Sequence, residues 1–118
     1  MNQPLPTDGE VAWSKWLAEQ MGGEAEYRLP CKSRVDILTT TLAIEVDWVK
    51  KWPEAFGQAI YYGVITNRPA AVLLLLRGKL TEDRYLERAR QVGARLNVSV
   101  FTWMTTDTHN ENVSVEKI

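Results

Sequence analysis

The sequence predicts an α/β (α+β) fold in which helices flank both faces of one mixed central sheet. Three observations predict this class: short extended segments lie close together in the first half, strand and helix patterns alternate in the second half, and residues 70–76 are apolar at every position. A short, fully apolar run is typical of a strand buried on both faces. The alternation favours parallel strands joined by helices. The predicted order of elements is α-β-β-β-α-β-α-β.

The first helix is predicted from about residue 8 to residue 21. Thr7 and Glu10 have the spacing of a capping box. Apolar residues then recur at helical spacing, and the pair Gly22–Gly23 ends the helix. The extended segments that follow have connections too short for a parallel crossover, so we expect an antiparallel meander. Its predicted strands are 25–29, 34–39 and 42–48.

The second half is predicted to alternate helices with strands. Pro53 suits the first turn of a second helix, which ends before the fourth strand at 70–76. A third helix, capped by Thr81, is expected to run to about residue 95, and a last strand covers 98–103. The side chains predicted to face inward from the third helix are Leu86, Ala89, Val92 or Gly93, and Leu96.

One domain is expected over residues 1–104, since domains of roughly 100–150 residues are common. Residues 105–118 are polar and are expected to form a frayed tail. Alternatively, Val113 and Val115 extend an edge strand. His109 in this tail has no cysteine or second histidine at ligand spacing, so a zinc site is not predicted.

Composition limits the classes of function. The formal net charge of −1 provides no overall attraction to nucleic acid or to anionic membranes, although it is compatible with a local basic patch. Cys31 is the single cysteine, so no intrachain disulfide can form, and no neighbouring histidine favours it as a nucleophile. The N-terminus lacks an apolar signal segment, so a cytoplasmic protein is expected. The five tryptophans are expected to fill the core, with a partner surface as the alternative.

Three acidic residues, Asp36, Glu45 and Asp47, lie on neighbouring predicted strands among apolar residues. Because side chains alternate along a strand, Glu45 and Asp47 are expected to share one face. Buried carboxylates repel one another and lose hydration unless a counter-charge neutralises them. A divalent cation such as Mg²⁺ prefers oxygen ligands and is one solution; ion pairs are the other, and spacing alone leaves both open. The basic residues close in sequence are Arg34, Lys50 and Lys51.

These residues resemble the pattern of the PD-(D/E)xK nuclease superfamily. Its restriction-endonuclease-like core consists of a helix, a three-strand meander, a helix and a further strand. The family places an aspartate at the start of the second strand of the meander, where Asp36 lies, and Glu-x-Lys on the third, where Glu45 matches the glutamate. Members often carry a glutamate on the first helix, which Glu10 matches unless it only completes the capping box. The resemblance covers about Glu10 to Leu76.

Gln58 and Tyr62 form a Gln-x-x-x-Tyr motif on the predicted second helix, similar to that of the RecB-like and phage exonuclease branch. In that branch these residues orient the catalytic lysine and the substrate phosphate. The chain departs from the family at the lysine of Glu-x-Lys, which is Asp47 here. Lys51, seven residues before Gln58, is the predicted replacement, with Lys50 as second choice and a solvated loop pair as the alternative for both.

The resemblance implies a Mg²⁺- or Mn²⁺-dependent nuclease that hydrolyses phosphodiester bonds, in DNA more than in RNA. It implies that Asp36 and Glu45 ligate the metal together with the carbonyl of Val46, and that Glu10 is a further ligand. Asp47 would be an additional ligand or would position the attacking water. The other residues of the implied catalytic set are Lys51, Gln58 and Tyr62.

So small a nuclease has little surface to hold a substrate, so a homodimer or a subunit of a larger complex is expected, without membrane association. Two alternatives stay open: an inactive nuclease-fold module for nucleic-acid binding or protein interaction, which Asp47 favours, and an interaction protein whose tryptophans form a partner surface. Basic side chains at helical spacing on the third helix could contact phosphates, but interleaved acidic residues favour a solvated face. These residues are Arg84, Arg88, Gln91 and Arg95.

Overall fold

The computed structural model describes residues 2–107 and 115–118, which contain three helices and six strands. The helices are α1 (Glu10–Met21), α2 (Trp52–Thr66) and α3 (Glu82–Leu96), and a 3-10 turn, Val49–Lys51, leads into α2. The strands are β1 (Glu24–Arg28), β2 (Arg34–Leu38), β3 (Ala43–Trp48), β4 (Ala70–Leu76), β5 (Ser99–Met104) and β6 (Glu116–Lys117). Within these residues, no helix is long and apolar enough to cross a membrane.

The strands form one mixed sheet in the order β1-β2-β3-β4-β5-β6, which confirms the predicted fold class. The first three strands pair antiparallel, as the predicted meander. β3, β4 and β5 run parallel because α2 and α3 return the chain to the same end of the sheet. β6 pairs antiparallel with β5, so an edge strand does form in the predicted tail, but at 116–117, directly after Val115. Val113 and His109 lie outside the described residues.

The two faces of β4 contact different helices. Leu73 packs in the cluster around α1, whereas its neighbours Val72 and Leu74 pack with α2 and α3. All three are fully buried, as the continuous apolar run predicts. Tryptophans fill this core as expected: Trp13, Trp16, Trp48 and Trp103 are buried, and Trp52 is partly buried.

The predicted capping box at the start of α1 is wrong. The N-cap is Gly9, α1 begins at Glu10, and no side chain caps the helix. A turn forms first: the Asp8 N–H donates to the Leu5 carbonyl (2.9 Å), and the Leu5 N–H donates to Asp8 Oδ2 (2.7 Å). Thr7 lies inside this turn rather than at the helix end. The Glu10 carboxylate therefore takes no part in capping.

The third helix differs from the prediction at both ends. Leu96 was expected to face inward but is 50% exposed, because the chain leaves the helix directly after it and Val98 takes the inward position. Thr81 is the N-cap residue, as predicted, but its side chain makes no capping hydrogen bond. The remaining inward positions are confirmed: Ala89 and Gly93 are buried, and Leu86 and Val92 pack partly buried against the core.

Candidate active site

The site forms where the antiparallel pairing of β2 with β3 ends. Ile37 and Ile44 form a regular pair of this ladder, and Asp36 and Glu45 are the next residues on each strand. There the Val46 N–H donates a hydrogen bond to Asp36 Oδ2 at 2.9 Å. This N–H of β3 therefore bonds to a side chain of β2 instead of to a backbone carbonyl. The end of the hairpin thus brings two carboxylates together from adjacent strands.

Glu45 is the most deeply buried of these carboxylates. It is 4% exposed, and its Oε1 atom has no hydrogen-bond partner within the described part of the chain. The side chain of Asp36 lies within hydrogen-bonding reach. Burial, followed by the negative charge of Asp36, raises the pKa of Glu45 far above its ordinary value, and burial also raises the pKa of Asp36. Without a cation, the pair therefore retains a proton at neutral pH.

Ion pairs do not neutralise these carboxylates. In residues 2–107 and 115–118, the basic and acidic side chains that lie within 4.0 Å of each other are Arg90 and Glu87, on the exposed surface of α3. Arg34 is exposed. Among the described residues, the ion-pair alternative from the sequence is therefore not the arrangement observed, and no basic side chain lies within 4.0 Å of these carboxylates.

Asp47 lies on the same face of β3 as Glu45, as predicted, because the alternate residues Val46 and Trp48 pack in the α1-side cluster. Its Oδ1 atom accepts a hydrogen bond from the Trp48 N–H at 2.8 Å. Glu10, in the first turn of α1, lies within hydrogen-bonding reach of the Asp47 side chain. Burial, together with the charge of Glu10, raises the pKa of Asp47 to about 6. Helix α1 thus adds a fourth carboxylate to the site.

Glu26 is a fifth carboxylate beside the site, and the sequence analysis missed it. The β1–β2 register pairs Tyr27 with Val35, which places Glu26 opposite Asp36. Its backbone has a positive φ of 53°, a left-handed conformation that non-glycine residues adopt mostly at turns and functional sites. The charge of Glu26 adds to the effect of burial in raising the pKa of Asp36. Turn geometry sets this register, and the sequence did not define the turn to one residue.

The two candidate lysines face different surroundings, although both are exposed in the 3-10 turn. The pKa of Asp47, raised mainly by burial, is partly lowered by the positive charge of Lys51. The pKa of Tyr85 on α3, lowered first by a hydrogen bond from Arg84, is lowered further by Lys50. Lys51 is therefore the lysine next to the carboxylates, and Lys50 lies towards α3.

Of the Gln-x-x-x-Tyr pair, Tyr62 packs against the cluster that contains Leu29, Val35 and Ala43, and its hydroxyl lies within hydrogen-bonding reach of Ser33. It is partly buried, and burial followed by the charge of Glu45 raises the pKa of its hydroxyl. Gln58 is exposed one turn earlier on α2, and within the described residues no hydrogen bond joins it to Lys51. Its predicted role in orienting Lys51 stays a prediction.

The lesser candidates lie on the surface. Arg84 donates a hydrogen bond to the hydroxyl of its neighbour Tyr85 at 3.2 Å, and Gln91 donates to Glu87 at 3.1 Å. Arg88 and Arg95 are also exposed, which is the solvated helix face that the interleaved acidic residues favour. Cys31 is a free, exposed cysteine.

The chemistry of the donors fits a hard divalent cation. All the side chains concerned are carboxylates. The buried Oε1 of Glu45, which has no hydrogen-bond partner within the described residues, can donate a lone pair to a metal ion without breaking a hydrogen bond. Among the residues that the structure describes, no three Asp, Glu, His or Cys side chains form a ready-made metal cage. Mg²⁺ generally needs less, since one or two carboxylates and several waters suffice. Asp36 and Glu45 are the pair that would hold such an ion.

Comparison with known proteins does not assign a family or a function to this chain. No protein family, curated protein or solved structure matches the chain significantly. Any function must therefore be argued from the residues of the site.

The raised carboxyl pKa values predict that the metal-free protein loses stability between pH 5 and pH 8. These groups bind protons more tightly in the folded than in the unfolded chain, so their contribution is complete below about pH 4 and is lost as pH rises through about 6 for Asp47, and higher for Glu45. We expect a fall of about 2 kcal/mol in the free energy of unfolding across this window. Urea denaturation in EDTA at each pH measures it.

The matched variant is Glu45→Gln, which removes the buried charge and keeps the shape of the side chain. Its metal-free stability at pH 8 is expected to exceed that of the wild type by about 1–2 kcal/mol, because the wild type must there either bury an uncompensated charge or hold a proton that the unfolded chain releases. A wild type that becomes more stable from pH 5 to pH 8 in EDTA would contradict the raised pKa values.

Proposed function

We propose that this protein is a metal-dependent nuclease that hydrolyses phosphodiester bonds, in DNA more than in RNA, with Mg²⁺ or Mn²⁺ bound by Asp36 and Glu45. The observation that carries the proposal is the buried Oε1 of Glu45, which has no hydrogen-bond partner within the described residues, next to Asp36 in a cluster to which those residues supply no ion pair. Burial of such a pair is costly unless a cation or a proton compensates it. A bound cation would neutralise the two carboxylates and remove this cost, so the pair is suited to bind one.

The surrounding residues supply what hydrolysis needs besides the ion. The bound cation would stabilise negative charge on the phosphate. Asp47, with a pKa of about 6, is ionised at neutral pH and can orient a water and accept its proton. The water oxygen forms the new bond to phosphorus, one phosphorus–oxygen ester bond breaks, and the departing oxygen takes a proton from solvent.

Lys51 and Tyr62 complete the arrangement on the substrate side. Lys51 is the cation next to Asp47, suited to hold the attacking water or a phosphate oxygen. The negative charge of Glu45 acts on the hydroxyl of Tyr62, which can donate a hydrogen bond to the same phosphate. Glu10 provides a further carboxylate for a second ion, and the carbonyl of Val46 is the further ligand that the family resemblance implies.

The positions of these residues support the resemblance to the PD-(D/E)xK superfamily. An aspartate and a glutamate lie on adjacent strands of the meander, a glutamate reaches them from the first helix, and a tyrosine reaches them from the second. A single exposed cysteine suits the reducing environment of the cytoplasm, where we place the enzyme.

One observation favours a second candidate, a nuclease-fold module that binds nucleic acid without cutting it. Asp47 occupies the family's lysine position, and in the described part of the chain Lys51 forms no ion pair with any site carboxylate. Without a cation at the attacking water, the site would bind a metal and a phosphate but hydrolyse slowly. Metal binding without cleavage would identify this candidate.

The deciding experiment is cleavage of end-labelled single-stranded, duplex and branched DNA, and of RNA, with Mn²⁺ and with Mg²⁺. The control is the double variant Asp36→Ala/Glu45→Ala, purified identically. Metal-dependent cutting that disappears in the control supports the nuclease. If the folded wild type binds Mn²⁺ but cuts nothing, the binding module is the better description, and absence of both cutting and metal binding rejects both.

A further inference from the structure

The outward face of α2 is apolar and largely uncovered by the described residues, although the Tyr61 hydroxyl lies within hydrogen-bonding reach of Cys31. Four of its side chains are substantially exposed: Ile60 (40%), Tyr61 (48%), Val64 (74%) and Ile65 (43%). No charged residue occurs between Glu54 and Arg68. A helix on the surface of a protein usually carries charged residues on its outer face, as α3 does.

The opposite, inward face of α2 packs against the core of the protein. Ala55, Phe56 and Ala59 are buried against the sheet. The helix is therefore apolar on both sides, which is typical of a helix that is buried on both sides. Together, the four exposed side chains present on the order of 400 Å² of surface, within the size of patch that marks interaction sites.

Gly57 points to close approach by a neighbouring molecule. It is exposed inside α2, and a Cβ atom added there would meet nothing within 4 Å. The fold of the chain itself does not require a glycine there, yet glycine destabilises a helix interior relative to alanine. Gly93 differs: a Cβ atom there would lie 2.7 Å from Val100 Cγ2. A neighbouring molecule that packs closely over Gly57 would account for it.

We infer that this face, Gly57, Ile60, Tyr61 and Val64, is the interface of a homodimer in which two α2 helices pack antiparallel about a two-fold axis. The four positions have i, i+3, i+4, i+7 spacing and so form one stripe. An axis between Ile60 and Tyr61 places Gly57 opposite Val64 of the second copy, and Ile60 opposite Tyr61. The most exposed side chain then fills the space over the glycine, at both ends of the interface.

Charge supports a second copy of this chain as the occupant. The charged residues that bound the apolar segment are of opposite sign, Glu54 at the start of α2 and Arg68 just after its end. Antiparallel packing brings each one near the oppositely charged end of the other helix, whereas parallel packing would bring like charges together.

An apolar centre of this size is about half of the roughly 800 Å² that each partner buries in a standard interface, so the dimer is expected to dissociate on dilution.

The test is the oligomeric state by sedimentation equilibrium over about a hundredfold range of protein concentration. We expect a monomer–dimer equilibrium for the wild type and an increase of about a hundredfold in its dissociation constant for Val64→Glu. The matched control is Leu80→Glu, because Leu80 is 90% exposed outside this face and its replacement should leave the equilibrium unchanged. Far-UV circular dichroism confirms that each variant is folded.

A charge-pair experiment tests the register. Gly57→Lys alone should weaken the dimer as Val64→Glu does, but the double variant Gly57→Lys/Val64→Glu should restore it, because the two-fold axis places each lysine opposite a glutamate. A wild type that stays monomeric at the highest concentration overturns the inference, as does a dimer that Val64→Glu leaves intact. Failure of the double variant to dimerise overturns the antiparallel register. None of these outcomes depends on metal or nuclease activity.

Discussion

Glu45→Gln is expected to lower metal-dependent cleavage by at least about a thousandfold, since the proposed mechanism makes Glu45 a metal ligand next to the reacting phosphate. The amide keeps the shape of the side chain and can donate a hydrogen bond to Asp36, whose side chain is already within reach. The loss should therefore occur without unfolding, in a protein more stable than the wild type in EDTA at pH 8. Single-turnover cleavage with saturating Mn²⁺, beside isothermal titration with Mn²⁺, measures both effects.

Glu19→Gln is the matched control, because Glu19 is an exposed glutamate of α1. It removes the same charge away from the site and should cleave and bind Mn²⁺ like the wild type. Full cleavage by Glu45→Gln would show that this carboxylate is not a ligand. Equal losses in both variants would indicate an effect of net charge on substrate binding instead.

Lys51→Ala is expected to reduce the single-turnover rate by about a hundredfold, the usual cost of losing one preorganised cation or hydrogen-bond donor at the reacting centre. Lys51 lies next to Asp47, whereas Lys50 lies towards Tyr85 on α3. The effect should fall on the rate and leave Mn²⁺ affinity nearly unchanged, because the lysine is not a ligand. Rates and affinities are measured as for Glu45→Gln.

Lys50→Ala is the natural control, since the two lysines are adjacent, equally charged and both exposed. It should retain a rate close to the wild type, and Lys51→Arg should recover part of what Lys51→Ala loses. If Lys50→Ala is the slower variant, the assignment of the migrated lysine is reversed. Equal, small effects would mean that both lysines contact only the substrate backbone.

The elements could be predicted because their signals are local. The apolar run from Ala70 to Leu76 gave the bounds of β4, since a strand buried on both faces has no polar position. Close spacing gave the antiparallel meander, because a short connection cannot cross to a parallel neighbour.

The errors in the predicted helices lie at the helix ends. Thr7 had cap chemistry, but the competing turn closed by Leu5 and Asp8 formed instead, and Leu96 had the right period but came one residue too late to be covered.

The carboxylates of the candidate site could be predicted only where the alternation of side chains along a strand defines their direction. Asp36, Glu45 and Asp47 followed from their places on neighbouring strands. Glu26 did not, because its position opposite Asp36 depends on the register of the β1–β2 hairpin. The choice between Lys50 and Lys51 depended on the 3-10 turn, which the sequence did not reveal.

By itself, the sequence determined the fold class, the order of the helices and strands from α1 to β5, and which carboxylates share a face of β3. These properties follow from hydrophobic period and connection length, which are short-range and repeat along the chain. Only the tertiary structure decided that the described residues supply no ion pair to the carboxylates, that Glu10 reaches Asp47, and that α2 exposes an apolar face. Those properties are distances between residues far apart in the chain, and they are set by strand register and helix packing, which a local pattern does not specify.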